Sequence, residues 1–424
     1  MKINKSLFIQ NFFIFIGCIF LIKPTCLPYI MNGKLNSIYM AFQTLTCIIT
    51  IILYITRKKF SKITFFIVLY YVYQIAITLF KHGDLRSILV SSFELVCICI
   101  FSEIFYKKRG VEYISILSLV LELYVFINFL TLILYPDGLY KTVSTDNPNN
   151  WFLGYKNQLI NFILPALCFS MINLYYNRSQ SKKHRLFRAI LVYSVAIITS
   201  IILWSAGTLI IIFMMAIFFM FHKLINVKVF NFRNYVIVNC VLTFSVVILR
   251  VQNVFSFIIV DILGKDITFT GRTFIWDKAL KYIIANPIFG NGVEYYSYRY
   301  IKMSMNSTWL TGYAALHSHC RFLEVMYRGG IVLLGIYVVI LIMTVKSLMN
   351  CKETMFSKIL SISLFAYMTG MMTEMYEYSP SFFVMILMSC CGVGFLNNNT
   401  TIEKGERINA ISKKNINILH RNYI

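Results

Sequence analysis

The residues best suited to chemistry fall in one stretch of the chain. Thr270-Gly271-Arg272-Thr273-Phe274-Ile275-Trp276 comes first, then Ala285-Asn286-Pro287-Ile288-Phe289-Gly290-Asn291-Gly292. His317-Ser318-His319-Cys320-Arg321-Phe322-Leu323-Glu324 follows, and Arg328-Gly329-Gly330-Ile331 closes the series. Two of the six histidines, His317 and His319, lie here beside Arg272, Arg321 and Arg328. A neutral imidazole near its ordinary pKa can accept a hydroxyl proton. A guanidinium presents a planar fork that pairs phosphate oxygens in a bidentate way. Each residue also has a plainer reading. A histidine on a loop is usually solvated, and an arginine near a membrane often touches lipid headgroups. If 317–328 is helical, His317, Arg321, Glu324 and Arg328 share a face by i+4 and i+3 spacing. Arg321 then either helps hold an anion or pairs with Glu324.

The elements that position these residues are apolar. Hydrophobic residues make up 58% of the 424 and charged residues 13%, with a mean hydropathy of +0.70. A soluble domain carries about 25% charged residues. Apolar runs recur at 7–22, 37–56, 63–80, 87–106, 111–135, 158–176, 189–204, 206–222, 235–252, 329–348, 359–376 and 380–396. Each is long enough to cross about 30 Å of hydrocarbon. The expected fold is an all-α integral membrane protein with about twelve transmembrane helices. Residues 1–396 form one polytopic domain, and 397–424 form a basic cytoplasmic tail. The N-terminal run has no small-x-small cleavage site behind it, so it reads as a retained span rather than a signal peptide. Most of the eleven cysteines lie inside the runs and read as small hydrophobes, with no zinc spacing.

A net charge of +23 raises the question of nucleic acid. The basic residues come in short bursts between apolar runs, not on one face, and no nucleic-acid module is present. They set orientation instead. With both termini inside, 25 of the 40 Lys and Arg fall on the cytoplasmic side. Nine of the other 15 belong to one region, Arg250 to Arg328. The stretch 253–328 is therefore one long external loop. Within it, 274–285 reads as an amphipathic helix, suited to lying on the membrane surface. Arg250, at the outer end of the ninth run, either reaches an anion or snorkels to the interface. Lys156 either positions an anionic group or sits at the interface. Glu94 and Glu122 lie mid-run, where a charge is costly; each pairs with an arginine, holds a proton or stays protonated.

In order and on one side, these pieces resemble the bacterial O-antigen ligases and the related O-antigen and capsule repeat-unit polymerases. The Arg ahead of a Trp-bearing helix matches Arg272 and Trp276. The Asn-Pro-x-x-Gly-x-Gly turn matches 286–292, and the His of His-Asn-x-x-Leu matches His319. Gly154-Tyr155-Lys156-Asn157-Gln158 resembles the family's Gly-x-Lys-Asn start of a span, and Ser205-Ala206-Gly207 its Ser-Arg-x hairpin apex. Two positions depart from the pattern. Cys320 stands where the family has Asn, and the apex Arg is replaced by Ala206 or Gly207.

What the resemblance implies is a glycosyltransferase C-like membrane fold and transfer of a glycan from undecaprenyl diphosphate to a sugar hydroxyl. Arg272 would grip the diphosphate. His319, with His317 as the lesser candidate, would orient or deprotonate the acceptor. Arg321, Arg250 and Lys156 are further diphosphate candidates, and Arg250 and Arg321 are nearest in sequence to standing in for the apex Arg. The first outer loop, 23–36, has no carboxylate and no Asp-x-Asp occurs, so a metal-free reaction without cofactor is expected. The expected activity is polymerisation of lipid-linked repeat units outside the cytoplasmic membrane, with a chain-length regulator as possible partner. A ligase and a flippase are the alternatives. Transport would put polar residues along many spans, whereas here they concentrate outside.

Overall fold

The computed structural model describes residues 5–57, 61–142, 149–178, 180–223, 229–262, 266–268, 271–303, 317–351, 354–372, 374 and 380–391. The basic tail 397–424 and Thr270 lie outside these residues. The helices in chain order are α1 (Lys5–Leu21), α2 (Lys34–Arg57), α3 (Lys62–Phe80), α4 (Leu85–Arg109), α5 (Val111–Leu134), α6 (Ile160–Tyr176) and α7 (Lys182–Ile202). They continue with α8 (Ala206–Phe221), α9 (Phe232–Thr243), α10 (Arg272–Ala285), α11 (Tyr296–Met303), α12 (Arg321–Met349), α13 (Thr354–Gly370) and α14 (Pro380–Cys391). One short antiparallel pair, Tyr140–Lys141 with Asn149–Asn150, lies between α5 and α6. The chain is otherwise helical among the described residues, as its apolar runs demand: in hydrocarbon every backbone polar group must be satisfied within its own segment.

Six helices are long and apolar enough to cross a membrane: α2, α3, α4, α5, α7 and α12. The other six apolar runs carry the shorter helices α1, α6, α8, α9, α13 and α14. One core draws on α1–α9 and α12–α14. Two carboxylates that enter it, Glu122 and Glu103, are paired. Glu122 accepts from Ser118 and from Arg188 of α7 at 2.9 Å, so the mid-run carboxylate has an arginine. Glu103 takes Lys107, Thr64 and Tyr54. Helix ends sort into two groups. At the basic end, Arg57 donates to the Ile104 carbonyl at 3.1 Å and Lys358 to the His222 carbonyl at 3.0 Å. At the other end, the amide of Val293 donates to Thr78 and that of Arg321 to the Met371 carbonyl.

The described helices within 253–328, α10 and α11, and the start of α12 pack against one another. A second, smaller core joins Trp276, Ala279 and Ile283 of α10 to Met303 of α11 and to Leu323 and Tyr327 of α12. The amphipathic helix expected over 274–285 is therefore Arg272–Ala285, and its apolar face is covered by α12 instead of lying on the membrane.

The 286–292 turn is held by a break in α12. Gly330 has φ +60°, which interrupts the helix. The carbonyls of Tyr327 and Arg328, freed from helical bonding, accept from the amides of Asn291 (2.8 Å) and Gly292 (2.9 Å). In return Ile331 donates to the Pro287 carbonyl at 2.9 Å. The two backbones touch, so a Cβ on Gly330 would sit 2.2 Å from the Ile288 oxygen and one on Gly290 2.5 Å from the Gly329 nitrogen. Only glycine permits both the approach and the left-handed backbone. The Asn-Pro-x-x-Gly-x-Gly turn and the Gly-Gly-Ile sequence are two halves of one joint.

Candidate active site

Arg272 is the first residue of α10. Gly271 precedes it with φ +79°, and its amide is held by the Thr268 hydroxyl at 2.9 Å. This tight turn aims the guanidinium away from the small core. It pairs with Glu374, which lies beyond the end of α13. His319 comes to the same carboxylate from the segment before α12, with Nδ1 3.5 Å from Glu374 Oε2. Its backbone is left-handed, φ +50°, a conformation that needs the surrounding structure to hold it. Asn157, just before α6, donates from Nδ2 to Glu374 Oε1 at 2.9 Å.

Four segments far apart in sequence thus meet on one carboxylate. Burial alone would raise the Glu374 carboxyl, but the His319 ring, the Arg272 charge and the Asn157 amide outweigh it and hold it below the usual carboxylate range. The group stays open to water: side-chain exposure is 21% for Arg272, 24% for His319 and 19% for Glu374. A cation, an imidazole and an ionised carboxylate, all reachable, can bind an anion, orient a hydroxyl and move its proton.

The helical face drawn from 317 to 328 needs correction. α12 begins at Arg321, with Cys320 in an extended conformation as its cap, so His317 is not on that helix. His317 packs its ring against His319, centroids 4.3 Å apart. Burial pushes it well below the ordinary histidine range, and His319, Arg328 and Arg299 outweigh the opposing pull of Glu324. Arg321 does not pair with Glu324. It donates to the Tyr70 hydroxyl at 3.0 Å and lies over the rings of Tyr70, Tyr337 and Phe383. Arg328 does pair with Glu324, at 2.7 Å, and Arg299 of α11 completes that site at 2.9 Å.

Arg250 turns back onto α10. It donates to Asp277 at 2.5 Å and to the Thr273 carbonyl at 3.1 Å, and it stacks on Trp276. Lys156 lines a cavity of about 230 Å³ together with Trp151, Tyr155, Ile202 and Leu203. The structure therefore brings Arg272 and His319 together through Glu374 and sets His317 beside His319. Lys156 is adjacent in sequence to Asn157, one of the Glu374 donors. Arg321 and Arg250 have other partners.

Residues 166–338 match the family model described as O-antigen ligase. The match covers 173 of the chain's 424 residues, and it is this segment that is similar to the family. Proteins of this family are glycosyltransferase-like enzymes that act on lipid-linked glycans. No curated protein matches the sequence. The matched region holds Arg272, His319 and the Ser205-Ala206-Gly207 apex, whereas Lys156, Asn157 and Glu374 lie outside it. Glu374 and the role of Asn157 are what the sequence reading missed. One signal was available for Glu374: a carboxylate at the end of an apolar run is costly enough to require a partner or a task.

Proposed function

We propose that this protein is a polymerase that joins oligosaccharide repeat units carried on undecaprenyl diphosphate into a surface polysaccharide, at the outer face of the cytoplasmic membrane. Twelve spans with both termini inside would place the Arg272 cluster on that face. The observation that carries the reading is the convergence of Arg272, His319 and Asn157 on Glu374, within a family region whose members act on lipid-linked glycans. Arg272 neutralises charge on the leaving diphosphate. His319 takes the proton of the attacking sugar hydroxyl as the bond from the anomeric carbon to the diphosphate breaks. Glu374 orients the ring and favours its protonated form as the proton arrives. These steps use the protein's own side chains and no metal.

Lys156 is the cation best placed to stand in for the missing apex Arg. Its cavity is lined by Ile202 and Leu203, at the apex end of α7, and a Cβ on Gly207 would meet open space. Polymerisation fits better than ligation because a departure at a phosphate-binding position suits an enzyme tuned to one particular repeat unit.

The test is to express Arg272→Ala and His319→Ala in a strain lacking the native gene. Single repeat units displayed outside, with no long chains, are expected. Normal chain lengths at normal protein levels would sink the assignment. Units stranded on the inside would indicate a flippase. Intact polymer that fails to reach its final acceptor would indicate a ligase.

A further inference from the structure

α11 presents a face that the proposed chemistry does not use. Tyr295, Tyr296 and Tyr298 are each more than half exposed, and Tyr300 is half-buried beside them. The rings of Tyr296 and Tyr300, one helical turn apart, are parallel to within 5° with centroids 6.4 Å apart. Arg299 and Met303 form the buried side of the helix, with Arg299 ion-paired to Glu324 and set 3.5 Å over the Tyr327 ring. Lys302 pairs with Glu294 at 2.5 Å. The helix is thus clamped from beneath, which holds its tyrosines outward on a rigid support.

We infer that this tyrosine face is a binding platform for the sugar rings of the glycan. Three observations select that occupant. The first is chemistry: a pyranose ring presents a face of weakly positive C–H groups with hydroxyls at its rim. A tyrosine offers a negative ring face and a hydroxyl at its edge. The second is contrast with lipid-suited surface. The exposed large residues at the end of α10 and in the turn after it, Ile284, Ile288 and Phe289, carry no polar group, whereas α11 exposes Tyr296, Ser297 and Tyr298 beside one aliphatic side chain, Ile301. The third is continuity with the candidate active site. The Glu324 oxygen that accepts from Arg299 also accepts from the Ser318 amide, at 2.9 Å in each case, and Ser318 adjoins His319. One carboxylate oxygen ties the platform to the segment that carries the imidazole. A growing chain laid on α11 would be held near the group that activates its terminal hydroxyl. The role assigned to the glycan rests on the polymerase reading; the binding itself does not.

The experiment uses full-length protein in lipid nanodiscs. The probe is the surface polysaccharide of the strain that carries this chain, freed of lipid by mild acid, and binding is read by saturation-transfer NMR. Changing Tyr296 and Tyr300 together to Ala should weaken binding about tenfold, the scale of one aromatic contact. Changing both to Phe should retain most of it, because the ring faces remain. Single Tyr296→Ala, at an exposed position, gives an independent reading at lower amplitude. His319→Ala should bind the polysaccharide as the native protein does while failing to polymerise. Were His319→Ala to polymerise normally, the catalytic reading would fall and the platform would stand on its binding data. Undiminished binding by both Ala variants overturns the platform. If those variants instead lose stability in nanodiscs but not in detergent, the face is a membrane anchor and the inference fails.

Discussion

Two charged clusters flank the start of α12, and they differ in exposure. In one, Glu324 is 1% exposed and takes Arg299, Arg328 and the Ser318 amide. In the other, Glu374 takes Arg272, His319 and Asn157, with every charged member about one-fifth open. The first cluster has no surface left for a ligand. It ties α11 and the 317–320 segment to α12 through one buried carboxylate. The second is partly open to solvent, which leaves its members within reach of a substrate. A carboxylate that gathers partners can be closed or open to water, and the sequence marks the two alike.

Breaking the closed cluster should have the largest effect. Glu324→Ala removes the buried carboxylate that Arg299 and Arg328 share, a loss of about 3–5 kcal/mol. Thermal melting of the purified protein should show it, with polymer absent as well; native-like melting would mean that the cluster is not structural. His319→Ala in the open cluster should do the reverse, cutting polymer formation about 10²–10⁴-fold while the melting temperature moves little. Gly330→Ala tests the joint that supports both clusters. Its Cβ would meet the Ile288 carbonyl at a left-handed position, so a loss of about 1–3 kcal/mol is expected in the same melt. Glu374→Gln keeps shape and removes charge, and should lower turnover about tenfold to a hundredfold, as removal of a supporting partner does. Unchanged turnover would place Glu374 outside the reaction.

The smallest effect concerns pH. His317 is held neutral, so its folded pKa lies below the unfolded value near 6.5. The unfolded chain then binds more protons, and stability falls as pH drops below about 6.5 toward the folded pKa. The slope from one proton is at most about 1.4 kcal/mol per pH unit. His317→Gln should flatten that part of the profile, and a profile left unchanged would remove His317 as its cause.

Much of the fold was legible because hydrocarbon enforces it: an apolar run must be a helix, so α1–α9 and α12–α14 fall on the runs. The family pieces were legible for a related reason. Gly290 and Gly330 are fixed by backbone contact, and such contacts leave local residue patterns. The charged partners were not legible. Arg321 reads as a partner of Glu324 by spacing, yet the helix starts at Arg321 and its side chain turns to Tyr70 on α3. Arg250 reads as free to reach a ligand, yet Asp277 holds it.

The amino-acid order by itself determined a helical membrane chain, its basic bursts, and the stretch where its candidate chemical residues gather. Those follow from the length of apolar runs and the cost of moving charge across hydrocarbon, which depend on composition along the chain alone. Only the tertiary structure decided that Glu374, 102 residues from Arg272, is the carboxylate Arg272 and His319 share. Which ions meet depends on how helices pack side by side. That packing sets distances that sequence separation does not encode.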